Sequence, residues 1–265
     1  SVAMAENRPL GWSVALGAGL LAGLALPPLG WPPLLWLALV PLWALGPRAA
    51  ALWAGAAVLV SHRWLLWLHP LDWVGVPLPL SLPLCVLLWL ALGLLGGVLV
   101  GAWRWVVHRL GAERLGTALL ASALWGLAEV LLAQGPLFWI GLGAAALPGD
   151  RALAGLAQLV GAGGLAALQL LLGWGLWRLL RRSGFAWGRA LGWLALVAVL
   201  HAAGWGCLQA VAMAPAPAAE ASRSLLVLQP AIPTRRKFDA DQQLGMLRQL
   251  DRALDQAQRL GSAAL

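Results

Sequence analysis

Tyrosine is absent from this chain of 265 residues, phenylalanine occurs three times, cysteine twice, and charged residues make up only 11%. Each shortage narrows what the protein can be. A soluble globular domain carries about 25% charged residues. A chain with so few, 61% hydrophobic and with a mean hydropathy of +0.80, belongs instead to the membrane class. The two cysteines, Cys85 and Cys207, both lie in apolar runs, where a thiol behaves as a small hydrophobe and not as a nucleophile. There is no Cys-x-x-Cys and no Cys/His ligand spacing, so neither a metal nor another cofactor is expected. Acidic residues number 10 against 18 basic ones, a net charge of +8. The basic residues sit mostly between apolar runs, which is the distribution of cytoplasmic loops and not of a nucleic-acid-binding face. What is abundant is tryptophan, 18 residues, many at the ends of apolar runs. There an indole can bury its ring and still hydrogen-bond at headgroup level.

Crossing a bilayer core takes about 20 apolar residues. Runs of that kind predict about seven transmembrane helices, at residues 10–26, 31–45, 49–68, 78–107, 115–133, 152–176 and 187–211. The second is short and holds Pro32, Pro33 and Pro41, so a tilted, kinked or re-entrant course is expected. Residues 134–150 are apolar but interrupted by Gly135, Pro136, Gly141, Gly143 and Pro148, and read as an interfacial loop. The glycines 93, 96, 97 and 101 approximate a small-residue face suited to close helix packing. With the N-terminus cytoplasmic, nine arginines between Arg8 and Arg189 fall on the inner side and only Arg63 and Arg151 on the outer. That asymmetry obeys the positive-inside rule. It predicts a multi-pass membrane protein whose C-terminal part lies outside, in a bacterial cell the periplasm.

The character changes after residue 212. An Ala/Pro linker at 213–223 leads into a soluble segment, 224–265. The apolar run from Leu225 predicts a strand, and Asp239 with Gln242 marks a helix start. Leu244, Leu247, Leu250, Leu254, Ala257 and Leu260 form one helical stripe, followed by Gly261 and an incipient strand. Strand, helix and strand suggest the opening of an incomplete α/β domain, because so short a segment cannot bury a core of its own.

Four segments together resemble the bacterial apolipoprotein N-acyltransferase family. They are Leu26 to Pro33 with Leu37 to Leu42; Trp67 to Pro79; Trp125 to Glu129 with Gly135 to Gly143 and Leu156 to Gly164; and Val227 to Asp239. The resemblance implies that the soluble segment begins a periplasmic nitrilase-like domain. It also implies an enzyme that moves an acyl chain from a membrane phospholipid to the N-terminal cysteine amine of a diacylated lipoprotein. A Glu–Lys–Cys triad would form the acyl-thioester. The first of the three is expected shortly beyond Leu265, so this chain is expected to be a catalytically inert fragment with no catalytic residue of its own. Two departures from the family pattern stand out. Phe238 occupies a position usually held by Trp, and Leu131 and Leu132 follow Glu129 where an Arg is common.

Four residues are candidates for lining the lipid's path: Glu129, Phe138, Trp139 and Phe238. Glu129 is the one acid deep within an expected span, a functional candidate by default; the alternative is a hydrogen bond between helices. Trp139, with Phe138, reads either as lining for a lipid entrance or as an interfacial anchor. Phe238 reads either as an acyl-chain contact or as simple packing. His62 and His69 read as outer-loop polar residues. A second class of function, a polytopic transporter or scaffold with a short soluble tail, lacks support from internal repeats or converging midplane charges.

Overall fold

The computed structural model describes residues 9–135, 139–181, 187–214, 225–229, 231–232, 236, 240–259 and 263–264. Two compact units emerge, one of residues 1–65 and 86–212, the other of 66–85 and 213–265.

The larger unit is helical, and proline and glycine set its boundaries. Helix α1, Pro9–Ala25, stops ahead of Pro27 and Pro28. Gly30 then turns the chain with φ 58°, a conformation that costs glycine nothing. Helix α2, Pro32–Ala44, and α3, Pro47–Ser61, each begin with proline in the first turn, where the missing N–H is no loss. The remaining long helices are α4, Leu78–Leu110, α5, Leu115–Ala133, α6, Ala157–Arg181, and α7, Trp187–Ala212. These last four are long and apolar enough to cross a membrane. The first three are shorter, at 17, 13 and 15 residues. At 1.5 Å per residue α2 rises only about 20 Å, less than the ~30 Å of a hydrocarbon core. It is nonetheless deeply enclosed, with Leu35, Ala38, Leu39, Leu42 and Trp43 all fully buried.

Several boundaries depart from the periodicity reading. The run at 49–68 is helix only to Ser61 and continues as a 3₁₀ turn, Arg63–Leu68. The run at 152–176 divides into a single helical turn, Arg151–Ala154, and α6, which is itself broken at Gly161 with φ 68° and ψ −179°. The expected loop at 134–150 contains a short 3₁₀ helix, Leu142–Ala146. Hydropathy averaged over a run passes across these breaks, although Ser61, His62 and Arg63 stand at the first and Gly161 at the kink.

Helix packing relies on glycine. A Cβ at Gly93 would lie 2.7 Å from Leu59, and one at Gly101 3.2 Å from Ala51, so the small face of α4 seats α3. Tryptophan does more than anchor span ends. Seven indole N–H groups donate to protein acceptors, among them Trp43 to the Leu170 carbonyl at 3.1 Å, Trp53 to Ala38 at 3.0 Å and Trp103 to Ala121 at 2.8 Å. Trp43, Trp103, Trp125 and Trp53 make a relay of edge-to-face rings with centroids 5.0–6.5 Å apart. Each indole thus satisfies its polar atom while filling apolar volume.

One carboxylate–imidazole contact ties the 142–154 segment to α7. Asp150 caps the Arg151–Ala154 turn by accepting from the Leu153 N–H at 2.9 Å, and its other oxygen lies 2.6 Å from His201 Nε2. His201 Nδ1 donates to the Val197 carbonyl at 2.8 Å. His201→Leu should therefore lower unfolding stability in detergent by about 1–2 kcal/mol, since a half-buried carboxylate loses its partner. Asp150→Asn, which keeps the cap, should cost less; equal losses would rule this assignment out.

In the smaller unit, His69 Nδ1 lies 2.8 Å from the Ser81 hydroxyl, which also accepts from the Leu71 N–H at 2.7 Å. Strand β1, Leu225–Leu226, pairs in parallel with β2, Ala263–Ala264, on either side of helix α8, Ala240–Arg259. The strands are shorter than the apolar run suggests. The leucine stripe of α8 is partly open, with Leu244 and Leu247 55% and 56% exposed, while Ala257 is buried. Asp239, Leu260 and Gly261 lie outside the described residues.

Candidate functional site: an apolar cavity with one carboxylate

Within the larger unit, helices α1, α3, α4 and α5 and the 139–142 segment enclose a cavity of about 110 Å³. Its walls are almost entirely apolar: Ala22, Leu26, Ala57, Val100 and Leu124, with indoles from Trp53, Trp103, Trp125 and Trp139. Glu129 supplies the one carboxylate. The volume falls below the roughly 300–1,000 Å³ of a drug-sized ligand site. It suits a segment of an extended hydrocarbon better than a whole lipid.

Glu129 sits near the C-terminal end of α5, where Leu131 and Leu132 follow it. Its Oε1 accepts from the Trp125 indole at 2.8 Å and from the Leu142 N–H at 2.7 Å, and the Gly143 backbone also bonds the carboxyl. The carboxyl therefore caps the first turn of the 3₁₀ helix Leu142–Ala146. On the opposite side Gln169, fully buried on α6, donates to the Leu142 carbonyl at 2.8 Å. Leu142 is held from both sides, and the irregular segment has its backbone satisfied by side chains, as burial among apolar helices requires. Gly141 is required here because a Cβ would run into the Glu129 carboxyl.

Of the four candidates from sequence, the fold brings Glu129 and Trp139 to the same cavity. Phe138 and Phe238 lie outside the described residues. His62 departs from the outer-loop expectation. It closes the end of α3 and is fully buried, with Nδ1 2.9 Å from the Ser61 hydroxyl and 3.2 Å from the Val58 carbonyl. Its ring lies 5.4 Å from that of Trp139. Local polarity cannot reveal this burial, because the covering ring comes from a segment far along the chain. Gln169 also escaped notice in the sequence, where one amide in an apolar run carries no signal of its partner. Among the described residues no cluster of His, Cys, Asp or Glu is able to hold a metal ion.

The fold and this cavity define a helical protein of the membrane class, with apolar helices around a chain-sized apolar hollow. Residues 18–175 match the profile of the apolipoprotein N-acyltransferase N-terminal domain, and the chain belongs to the apolipoprotein N-acyltransferase family. It is 47% identical over 279 aligned positions to the apolipoprotein N-acyltransferase of Prochlorococcus marinus (strain MIT 9313), covering 99% of this chain and 54% of that protein. It is 48% identical to that of Parasynechococcus marenigrum (strain WH8102), covering 95% of this chain and 53% of the relative. The enzyme of that name from Gloeobacter violaceus (strain ATCC 29082 / PCC 7421) is 34% identical over 86% of this chain. The chain thus spans about half the length of the curated relatives it matches.

Proposed function

We propose that these residues form the membrane region, and the opening of the soluble domain, of an enzyme that transfers a phospholipid acyl chain to the N-terminal cysteine amine of a diacylated lipoprotein. The observation that carries this reading is the family match, which runs through nearly the whole chain. The apolar cavity beside Glu129 and Trp139 adds to it, because an acyl chain presented from a bilayer needs a dry, elongated seat. In this reading Trp139 and Phe138 line the lipid's way in, Phe238 contacts the acyl chain, and Glu129 holds the 139–146 segment that forms one wall. Acyl transfer through a thioester needs an accessible thiolate. In this reading the thiol of the Glu–Lys–Cys triad is not among these residues; the placement of Cys85 and Cys207 within the apolar helices α4 and α7 supports it.

The same reading takes all seven apolar helices, α1 to α7, as inner-membrane spans with a cytoplasmic N-terminus and places residues after 212 in the periplasm. The arginine asymmetry supports that orientation. Residues 1–212 then form the membrane domain, 213–223 a linker and 224–265 the start of a nitrilase-like domain. The parallel pairing of β1 with β2 around an amphipathic α8 supports an α/β start.

A hybrid tests the function. In it, this chain replaces the matching part of the Prochlorococcus marinus (strain MIT 9313) relative. In cells depleted of their own enzyme, the hybrid should restore lipoprotein N-acylation, read by mass spectrometry of the lipoprotein N-terminus. The chain alone should form no hydroxylamine-sensitive acyl adduct. A correctly inserted hybrid that leaves the amine free, or an adduct on the chain alone, would overturn the reading.

A further inference from the structure

A second cavity, of about 720 Å³, opens where α4 ends and α5 begins, against the ends of α2 and α6. Its lining has a different chemistry: Arg104, His108, Arg114 and Arg181, with Trp43 and Trp177 beneath them. Glu113 is the one carboxylate, and it is already engaged by Arg178 at 3.0 Å and by Arg181 at 2.5 Å. Three lining arginines against one paired acid leave a positive excess.

The arginines are held in place. Arg104 is 2% exposed, and its Nη2 donates to the Trp43 carbonyl at 3.1 Å. Arg181 stacks over Trp177 with 5.3 Å between guanidinium and ring centroid. The turn between α4 and α5 uses Gly111 at φ 90° and is stapled by the Trp174 indole to the Ala112 carbonyl at 2.8 Å and by Thr117 to the Leu110 carbonyl at 3.1 Å. Arginine's planar fork matches the oxygens of a phosphate or a carboxylate bidentately, and of the two a phosphate is what a bilayer surface presents in every phospholipid headgroup. The two cavities lie at opposite ends of α5, so Arg114 and Glu129 are separated by about 22 Å of helix rise.

We propose that this cavity binds a phosphate group, carried by the headgroup of an acidic phospholipid in the leaflet that borders the α4–α5 turn. Indoles at the cavity floor meet the glycerol and upper acyl region while Arg104, Arg114 and Arg181 take the phosphate. Basic pockets between helices at a membrane surface bind anionic headgroups in this way. The site is separate from the proposed acyl-chain seat beside Glu129 and does not depend on it.

The full chain in neutral detergent, titrated with phosphatidylglycerol and observed by native mass spectrometry, should retain one lipid more tightly than it retains phosphatidylcholine. Arg114→Gln and Arg181→Gln should each weaken that first lipid about five- to tenfold. Arg109→Gln should leave it unchanged, because Arg109 lies over Trp105 at 5.0 Å and does not line the cavity. Inorganic phosphate competing with equal dependence on Arg114 and Arg181 would keep the anion site and make a soluble phosphate its source. Equal retention of the two lipids with no competition by phosphate, or an Arg109→Gln loss as large as that of Arg114→Gln, would overturn the proposal.

Discussion

Gly163→Val should leave the chain unable to close α5 on α6, with a loss of about 3 kcal/mol or more in detergent unfolding. At this crossing Gly126 and Gly163 face each other. A Cβ on Gly163 would stand 2.6 Å from the Gly126 carbonyl oxygen and 2.6 Å from Val130, and a Cβ on Gly126 would strike the Gly163 carbonyl. The obstacle is backbone on both sides, so no rotamer change relieves it, and the helices must separate. Separation would also pull Gln169 from Leu142 and open the Glu129 cavity. Gly192→Ala on α7 is the control, since a Cβ there meets nothing within 4 Å. It should raise stability by about 0.5–1 kcal/mol through helix propensity alone. If Gly163→Val and Gly192→Ala unfold at similar denaturant strength, the crossing is wrongly drawn.

Glu129→Leu should cost about 2–4 kcal/mol, because the Trp125 indole and the Leu142 N–H lose their acceptor together in apolar surroundings. The damage should be local, with the amides of residues 139–146 exchanging faster before the helices melt. Glu129→Gln keeps an acceptor oxygen at the same reach and should lose less than half as much. Thermal unfolding and hydrogen exchange separate the cases. Identical losses for Leu and Gln would mean that the carboxyl does not hold this turn. The pair of variants also divides the two readings of Glu129: a staple tolerates Gln, whereas a group needed for its charge does not.

Much of the fold was legible because membrane helices announce themselves by continuous apolarity. Each of the seven runs holds a helix, although those at 49–68 and 152–176 are broken. The site was legible only in part. Glu129 stood out because an acid in an apolar run is costly, and Trp139 as an indole suited either to a lipid entrance or to the interface. Their convergence was not legible, since it requires the 139–146 segment to fold back against α5. Nor were the kink at Gly161, the burial of His62 or the duty of Gln169, each of which depends on a neighbour distant in the chain.

What the sequence determined by itself is the class of solvent, the order of the helices and the change of character after residue 212, because these follow from local apolarity and charge. The tertiary structure alone decided which polar groups meet. Tryptophans that composition reads as headgroup anchors turn inward to backbone carbonyls, Leu142 is gripped between Glu129 and Gln169, and arginines that composition reads as loop charges close around a cavity of their own. An apolar core offers a buried donor or acceptor little water to bond, so a protein partner stabilises it, and only the packed helices reveal which one.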